Sequence, residues 1–314
     1  MWDLEVDLVC LGAGVGGLAG AIATFDAGAE VIVADTTPLL PPQMPTEGSS
    51  IATRRRVGSM LGWLQHDAVD LETNEYLHAL AEGLDPLARR VGAAGVPKRV
   101  ASEWATDERV VETFVGAAVR DWDAQCLGSP YGMLHTSIYG WQATRMRSSD
   151  GESIEVMPIG SMDWHDGLDG HDLLEWMHAQ ARERDIEVLA SSPLQRLVFE
   201  DGVIAGVVLA TPDGPYAVRA TRGVTLSPRD PEPVMADRPI ETTSADTKQV
   251  CLIGRTASRF GRVELVTRAA PPAVARPLCT SSGRHLHDAL RESRQVPSDA
   301  WRGGKLHGHP PRGQ

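Results

Sequence analysis

Residues 6–35 read VDLVCLGAGVGGLAGAIATFDAGAEVIVAD, and this stretch decides the fold. A short apolar run ends at Gly12, small residues suited to a packed helix run from Gly17 to Ala27, and a second apolar run closes at Asp35. Short apolar runs bounded by glycine are typical of buried strands. The order strand, glycine turn, helix and strand predicts a βαβ unit, and such units build parallel sheets.

Three glycines at the turn, Gly12, Gly14 and Gly17, satisfy the pattern GxGxxG. In that pattern the first glycine permits the tight turn, the second leaves room for a diphosphate against the backbone, and the third lets the helix pack closely on the strand. Asp35 ends the second strand, where a carboxylate accepts hydrogen bonds from an adenosine ribose. The residues therefore predict an adenine-dinucleotide site, and a glycine-rich turn without a ligand is the alternative.

Hydrophobic periodicity and turn residues predict the elements that follow this unit. Helices are expected at 70–83, 86–94, 107–126 and 172–184, the last opened by a capping box of Asp172 and Glu175. Strands are expected at 186–189, 194–199, 203–210, 216–220 and 222–226, with candidate strands at 250–253 and 263–266. The turns at 200–202 and 212–214 make a β-meander of the three strands that they separate.

Further stretches extend the pattern beyond the βαβ unit. Together with residues 6–35, residues 167–210 (GLDGHDLLEWMHAQARERDIEVLASSPLQRLVFEDGVIAGVVLA) and 218–226 (VRATRGVTL) resemble FAD-dependent oxidoreductases. The group is the fumarate reductase and succinate dehydrogenase flavoprotein type, which includes 3-ketosteroid dehydrogenases. The resemblance covers residues 5–226. It implies an α/β fold with a Rossmann-like FAD-binding domain, in which a parallel sheet with a β-meander is joined by inserted helices and an irregular C-terminal region.

The resemblance also implies FAD as the cofactor and assigns its contacts position by position. The diphosphate contacts are the residues of the glycine turn, namely Gly12, Ala13, Gly14, Val15, Gly16 and Gly17. Asp35 is the ribose contact, and the backbone of Leu194 meets the adenine. Gly48, Ser49 and Ser50 fall where the family has a small-residue loop against FAD.

The resemblance ends after the last of these stretches. The family continues with a small-Thr-Gly-Gly turn, a capping domain and a glycine-rich C-terminal segment, whereas this chain continues with Ser227, Pro228, Arg229 and Asp230. We therefore expect a dinucleotide-binding domain over residues 1–227, with a helical insertion near 54–150. A diverged region is expected over 228–302 and a disordered tail over 303–314.

Two functions of different class fit this pattern, and a poorly folding gene fragment is a third reading. The first is a flavoprotein dehydrogenase that exchanges hydride with an apolar enone such as a steroid, or with a dicarboxylate, as the resemblance implies. The alternative is a catalytically inactive dinucleotide-binding or interaction module that lacks the substrate-capping half. No catalytic residue is assigned, because Tyr131, His135 and Tyr139 fit proton donors and packing residues equally well.

Composition limits the classes of binding partner and the cellular compartment that we expect. A formal net charge of −12 argues against nucleic acid, since proteins that bind it carry a basic face. The sequence has no run of the roughly 18 apolar residues that a membrane span needs. Its acidic start and its four separated cysteines lead us to expect a cytoplasmic protein. A small-molecule substrate is expected, and a homo-oligomer or a partner chain stays open.

Two weaker clusters of residues are assigned no functional role. Residues 164–166 (WHD) with His171 and Asp172 lack the fixed spacing of metal ligands, so no metal is expected. The run Arg54-Arg55-Arg56 is interpreted as a solvated loop rather than as a contact to phosphate or to an anionic substrate.

Overall fold

The computed structural model describes residues 1–36, 70–82, 84, 95–103, 115–136, 143–165, 167–228 and 246–268, all within the compact unit Met1–Pro271. The helices are α1 (Val15–Asp26), α2 (Leu71–Ala81), α3 (Val115–Leu127) and α4 (Gly170–Glu183). The strands are β1 (Leu4–Leu11), β2 (Val31–Ala34), β3 (Lys98–Glu103), β4 (Gly132–His135), β5 (Thr144–Ser148), β6 (Ser153–Trp164), β7 (Glu187–Leu189), β8 (Leu194–Glu200), β9 (Val203–Thr211), β10 (Gly214–Leu226), β11 (Asp246–Gly254) and β12 (Phe260–Arg268).

The predicted βαβ unit is confirmed. β1 pairs in parallel with β2 on one side and with β10 on the other, and β7 extends the parallel set beyond β2. α1 connects β1 to β2, and its small residues are buried over most of its length. Those residues let α1 pack against β1, β2 and α4 at once, which fixes the start of the helix at the carboxyl ends of the strands.

β8, β9 and β10 pair antiparallel in sequence order. β10 is a single strand from Gly214 to Leu226, so the expectation of two strands at 216–220 and 222–226 is wrong. The cause is Gly223, whose φ of +123° lets the backbone become irregular without ending the strand. The pairing of β1 with β10 shifts register at this irregularity, between Val6 and Leu8 of β1.

The other half of the sheet is a closed ring of five strands. The order is β11-β6-β5-β3-β12, and β12 pairs again with β11. Within this ring β3 and β12 are parallel and the other pairs are antiparallel. β4 pairs antiparallel with both β10 and β12 and so joins the ring to the parallel strands.

The sheet is therefore mixed, and two sequence expectations need correction. Residues 246–268 belong to the region expected to be irregular, yet they form β11 and β12 and complete the ring. The candidate strands at 250–253 and 263–266 lie within these two strands and are confirmed. The insertion near 54–150, expected to be helical, supplies β3, β4 and β5 as well as α2 and α3. In both cases the strands are stabilised by partners distant in the chain, which local periodicity does not register.

The helix at 70–83 is confirmed as α2, where the Asp70 carboxylate accepts from the Thr73 N–H at 2.9 Å. α4 is confirmed, but its capping box is formed by Asp169 and Asp172, and the pairing of Asp172 with Glu175 is wrong. The helix begins at Gly170, which puts Asp172 at the third helical position. Residues 86–94 and 107–114 lie outside the described residues. None of the described helices is long and apolar enough to cross a membrane.

Candidate dinucleotide-binding site

The glycine turn after β1 lies between the carboxyl ends of β2 and β10. The Gly12 N–H donates to the carbonyl oxygen of Ala34 at 2.9 Å, and the Ser227 N–H donates to that of Leu11 at 2.9 Å. Both hydrogen bonds continue the parallel pairing beyond the last strand residues. The turn is thus held at the edge of the sheet where open α/β proteins bind ligands.

Two of the glycines are required by close packing. Gly12 has a φ of +102°, and a Cβ on it would lie 2.5 Å from the carbonyl oxygen of Ser227. A Cβ on Gly17 would run into the carbonyl oxygen of Gly12. No larger residue fits either position without moving the backbone, so the turn and the first helical turn form one packed unit.

Gly14 is the N-cap of α1, with an extended backbone at φ −75° and ψ 178°. Among the described residues no side chain caps this helix, and its first turn carries no carboxylate. The first N–H groups of a helix have no partner inside it, and the helix dipole gives them partial positive charge. The end of α1 therefore has the donors and the charge that a diphosphate requires.

The Asp35 backbone, directly after β2, is fixed by the last residue of β7 and by the segment that follows it. Its N–H donates to the carbonyl oxygen of Leu189 at 2.8 Å, and its own carbonyl accepts from the Ser192 N–H at 2.7 Å. Leu194 is buried two residues further on, at the start of β8. The structure therefore brings the predicted ribose contact and the predicted adenine contact into one region, beside the glycine turn.

Gly132 is a neighbour of this site that the sequence did not indicate. A Cβ on Gly16, in the first turn of α1, would run into the carbonyl oxygen of Gly132 at the start of β4. A Cβ on Gly132 would in turn run into the carbonyl oxygen of Cys126 at the end of α3. The two glycines let the α3–β4 connection lie directly against α1. Nothing near Gly132 in the sequence marks this contact.

The two candidate proton donors that the structure describes are buried. His135 is 4% exposed, and its Nδ1 lies 3.1 Å from the Thr225 hydroxyl. Burial lowers the pKa of His135 to about 4, and it raises the pKa of Tyr131, which is 2% exposed, to about 12. Side chains so enclosed exchange protons poorly near neutral pH, so packing explains both better than catalysis does.

The remaining sequence candidates are placed as follows. The Gly167 N–H donates to Nδ1 of His165 at 3.1 Å, and Nε2 of His171 lies 3.4 Å from the Glu175 carboxylate. Within the described ranges, no three metal-ligating side chains come together. The other candidates lie outside the described residues: Gly48, Ser49, Ser50, Arg54, Arg55, Arg56, Tyr139 and Asp166.

Comparison with known proteins gives a family match. A family model described as "FAD binding domain" matches residues 7–245. Similar solved structures include a 3-ketosteroid-delta4-(5alpha)-dehydrogenase from Rhodococcus jostii RHA1, at 18% identity and TM-score 0.29, with 71% of this chain and 46% of that chain covered. Another is the open conformation of a flavocytochrome c3 fumarate reductase, at 19% identity and TM-score 0.28, with 70% and 33% covered.

The chain thus spans less than half the length of these two structures. A search of curated proteins gives no match. The family model covers most of the chain, including the glycine turn, the end of β2 and all of β10. The chain belongs to the FAD-binding-domain family, and its cofactor is FAD.

Proposed function

We propose that the protein is an FAD-dependent oxidoreductase. The observation that carries the proposal is the start of α1, a glycine-capped helix end at the carboxyl edge of the sheet with Asp35 beside it. Residues 12–17 hold the diphosphate, Asp35 the ribose and the backbone of Leu194 the adenine, with 48–50 as a further contact. Bound FAD supplies hydride exchange at the flavin N5. What the chain supplies is orientation of the dinucleotide.

The arrangement of strands supports one side of β1 for the flavin half. β1 has β2 on one side and β10 on the other. Because Asp35 holds the ribose on the β2 side, the flavin half extends across β1 towards β10. Ser227 and the start of β4 lie there. A small-molecule substrate therefore approaches from the β10 side, and by resemblance it is an apolar enone or a dicarboxylate.

A second candidate is a dinucleotide-binding module without turnover. Two observations favour it. Tyr131 and His135, the described proton-donor candidates, are buried, and Pro228 follows Ser227 where the family has a glycine turn. Proline has no N–H to offer a ligand. Under this alternative the ADP half is bound while the flavin ring stays open to water, which weakens the positioning that hydride transfer needs.

The proposal also covers the cellular compartment and the assembly of the protein. Cys10, Cys126 and Cys251 are buried as free thiols, which suits a reducing compartment such as the cytoplasm. Assembly with a second copy or a partner chain is compatible with either function, since a partner wall on the β10 side would enclose the flavin.

The deciding experiment uses visible absorption of the purified protein after incubation with FAD and gel filtration. We expect an oxidised-flavin spectrum. Two anaerobic additions then separate the two functions. The saturated 3-ketosteroid or succinate is added to the oxidised flavoprotein, and the 4-en-3-one steroid or fumarate is added to flavoprotein already reduced with dithionite. Substrate-dependent bleaching or reoxidation supports the oxidoreductase, and bound flavin that responds to none of them supports the module. A protein that retains no flavin contradicts both.

A further inference from the structure

The first turn of α1 packs against the end of the α3–β4 connection, which comprises residues 128–131 and leads into Gly132 at the start of β4. A Cβ on Gly16 would run into the carbonyl oxygen of Gly132, and it would lie 3.2 Å from the Cβ of Met133. No larger residue fits at position 16 unless α1 and β4 move apart. The place of this helical turn is therefore set by where β4 begins.

Backbone hydrogen bonds hold the α3–β4 connection in one conformation. The Ser129 N–H donates to the carbonyl oxygen of Cys126 at 3.1 Å, and the Gly132 N–H donates to that of Ser129 at 3.1 Å. The Val263 N–H in β12 donates to the carbonyl oxygen of Tyr131 at 2.9 Å. These groups would lose their partners if the connection moved, which costs free energy. The carbonyl of Gly132 is therefore presented to α1 by a well-fixed segment.

Trp122 anchors α3, the helix that leads into this connection. Its indole N–H donates to the carbonyl oxygen of Phe260 at 2.9 Å, and its side chain is buried. The guanidinium carbons of Arg255 and Arg262 lie 5.5 and 5.0 Å from the indole centroid, within the range of cation–π attraction. Phe260 begins β12 and pairs with Leu134 in β4. One indole thus ties the helix before the connection to the strands after it.

The helical turn that this connection supports is the one that the proposed function assigns to the diphosphate. Its N–H groups donate to phosphate oxygens only when they point at them, since hydrogen bonds weaken steeply away from linear geometry. A shift of Gly16 therefore lowers affinity for a diphosphate. Ribose and adenine are assigned to Asp35 and Leu194, and hydrogen bonds to Leu189 and Ser192 hold the Asp35 backbone. A shift of Gly16 leaves those contacts in place.

We propose that Gly132 and Trp122 are positioning residues for FAD, acting through the α3–β4 connection. Gly132 sets the place of Gly16, and Trp122 sets the place of Gly132 through Cys126, whose carbonyl oxygen a Cβ on Gly132 would meet. The inference rests on the proposed function, which supplies the diphosphate at residues 12–17. Its consequence is that disturbing either residue weakens ligands that carry a diphosphate and spares ligands that carry none.

The first test compares two glycine substitutions with comparable backbone overlap. A Cβ on Gly132 would run into the Cys126 carbonyl, and one on Gly206 would run into the carbonyl of Val218 in β10. Calorimetry with FAD and ADP, and NMR titration with adenosine, measures binding to the folded proteins. Gly132→Ala is expected to weaken FAD and ADP roughly tenfold, the effect of a misdirected hydrogen bond to a charged group, and to leave adenosine unchanged. Gly206→Ala is the matched control and should leave all three affinities unchanged.

The second test uses a milder change and decides the matter if Gly132→Ala fails to fold. Trp122→Phe keeps an aromatic ring but removes the N–H that Phe260 accepts. We expect it to weaken FAD and ADP by about threefold or more and to spare adenosine. Trp164→Phe makes the same change at an equally buried tryptophan on β6 and should not alter binding. Urea unfolding without ligand shows whether the loss of affinity is independent of the loss of stability.

The outcomes separate this inference from the function on which it rests. If the wild-type protein binds FAD and the variants at positions 132 and 122 bind it equally well, the inference is overturned and the proposed function stands. If adenosine weakens as much as FAD, or the control variants weaken FAD as much, the two residues serve general stability, which also overturns the inference. A wild-type protein that binds neither FAD nor ADP contradicts the proposed function and the inference together.

Discussion

Gly12 and Ser227 touch across the edge of the sheet: a Cβ on Gly12 would lie 2.5 Å from the carbonyl oxygen of Ser227. The contact joins the glycine turn after β1 to the residue that follows β10, and the Ser227 N–H donates to Leu11 beside it. Residues far apart in the chain thus build one corner of the candidate site.

Gly12→Ala should destabilise the fold by roughly 2–5 kcal/mol, since a left-handed φ and a backbone clash act together. Gly28→Ala is the matched control, because Gly28 also has a positive φ, +77°, but a Cβ there meets nothing within 4 Å. It should cost about 1–2 kcal/mol from strain alone. Urea unfolding of both variants without FAD checks the difference, and equal losses would show that the contact with Ser227 is unimportant.

Gly14→Val should abolish FAD binding and leave the protein folded. The backbone of Gly14 is extended, a conformation that any residue adopts, so the added side chain brings no backbone strain, and we expect it to act on the ligand. Gly20→Ala on the same helix is the control, because its Cβ would make ordinary contacts at 3.6 Å or more. FAD titration and circular dichroism check both. A Gly14→Val protein that binds FAD normally would place the diphosphate elsewhere, and one that unfolds would assign Gly14 to packing.

Asp35 should favour FAD over NADP, since its carboxylate repels a phosphate on the ribose 2′ position. Asp35→Ala should weaken FAD binding by roughly tenfold or more, the effect of losing hydrogen bonds to a charged group. Asp26→Ala, which removes an exposed ion pair with Arg184, is the control and should leave affinity unchanged. Competition titrations with NADP check the preference, which equal or tighter NADP binding would contradict.

Acid should destabilise the protein through His135. Burial, with the nearby charge of Arg259, lowers the pKa of His135 to about 4 despite its contact with the Val224 backbone. The unfolded chain therefore takes up a proton near pH 6.5 that the folded protein refuses until about pH 4, so stability falls between these values as pH falls.

The loss due to His135 amounts to roughly 3 kcal/mol across that window. His135→Gln, which cannot titrate, should remove this part of the pH dependence. Above pH 7 the residue at position 135 should contribute no pH dependence in either protein. Urea unfolding at intervals from pH 4 to pH 7 measures both proteins. Parallel curves for the two would contradict the assignment.

Glu264→Gln should be strongly destabilising. The carboxylate is 1% exposed and accepts from Arg99 and Arg262. Although burial alone would raise the pKa of Glu264, the hydrogen bond from Arg99 and the charge of Arg262 hold it below its usual value. The amide removes the buried counter-charge of two guanidiniums, at a cost of roughly 3–5 kcal/mol, and Arg99 keeps only the more exposed Glu152 at 3.7 Å.

A matched control for Glu264 is Glu5, whose side chain at the start of β1 is exposed. Glu5→Gln weakens a contact of 3.8 Å with Arg219 and should cost less than about 1 kcal/mol. Thermal unfolding at neutral pH compares the two variants. Similar stability for both would mean that the ion pairs around Glu264 add little to the fold.

The elements of the fold that could be predicted from sequence are those whose residue pattern lies in one contiguous stretch of the chain. The βαβ unit, with Gly12 and Gly17 packed as the pattern requires, lies within thirty-six residues at the start of the chain. α2 and α4 were also recognisable, since their caps and apolar faces are local. The capping box of α4 was misplaced by one turn because Asp169 and Asp172 are equally good cap residues.

The closure of the ring was not predicted, because its pairings join distant segments, although candidate strands at 250–253 and 263–266 lie within β11 and β12. β3 has the sequence KRVASE, whose polar residues do not read as a strand, and β12 stabilises it from far along the chain. The contact of Gly16 with Gly132 was missed for the same reason. At the site, the roles of residues 12–17, Asp35 and Leu194 toward FAD stay predictions, and Gly48, Ser49 and Ser50 lie outside the described residues.

The position of β1 between β2 and β10 sets an order of events during synthesis on the ribosome. Leu11 pairs with Leu226, so the edge of β1 that pairs with β10 stays open until some two hundred further residues have been translated. At roughly 5–20 residues per second this takes on the order of 10–40 s, during which an apolar strand edge is open to wrong partners. Nascent chains should therefore need protection by a chaperone, and they gain a complete nucleotide corner only once Ser227 has left the exit tunnel.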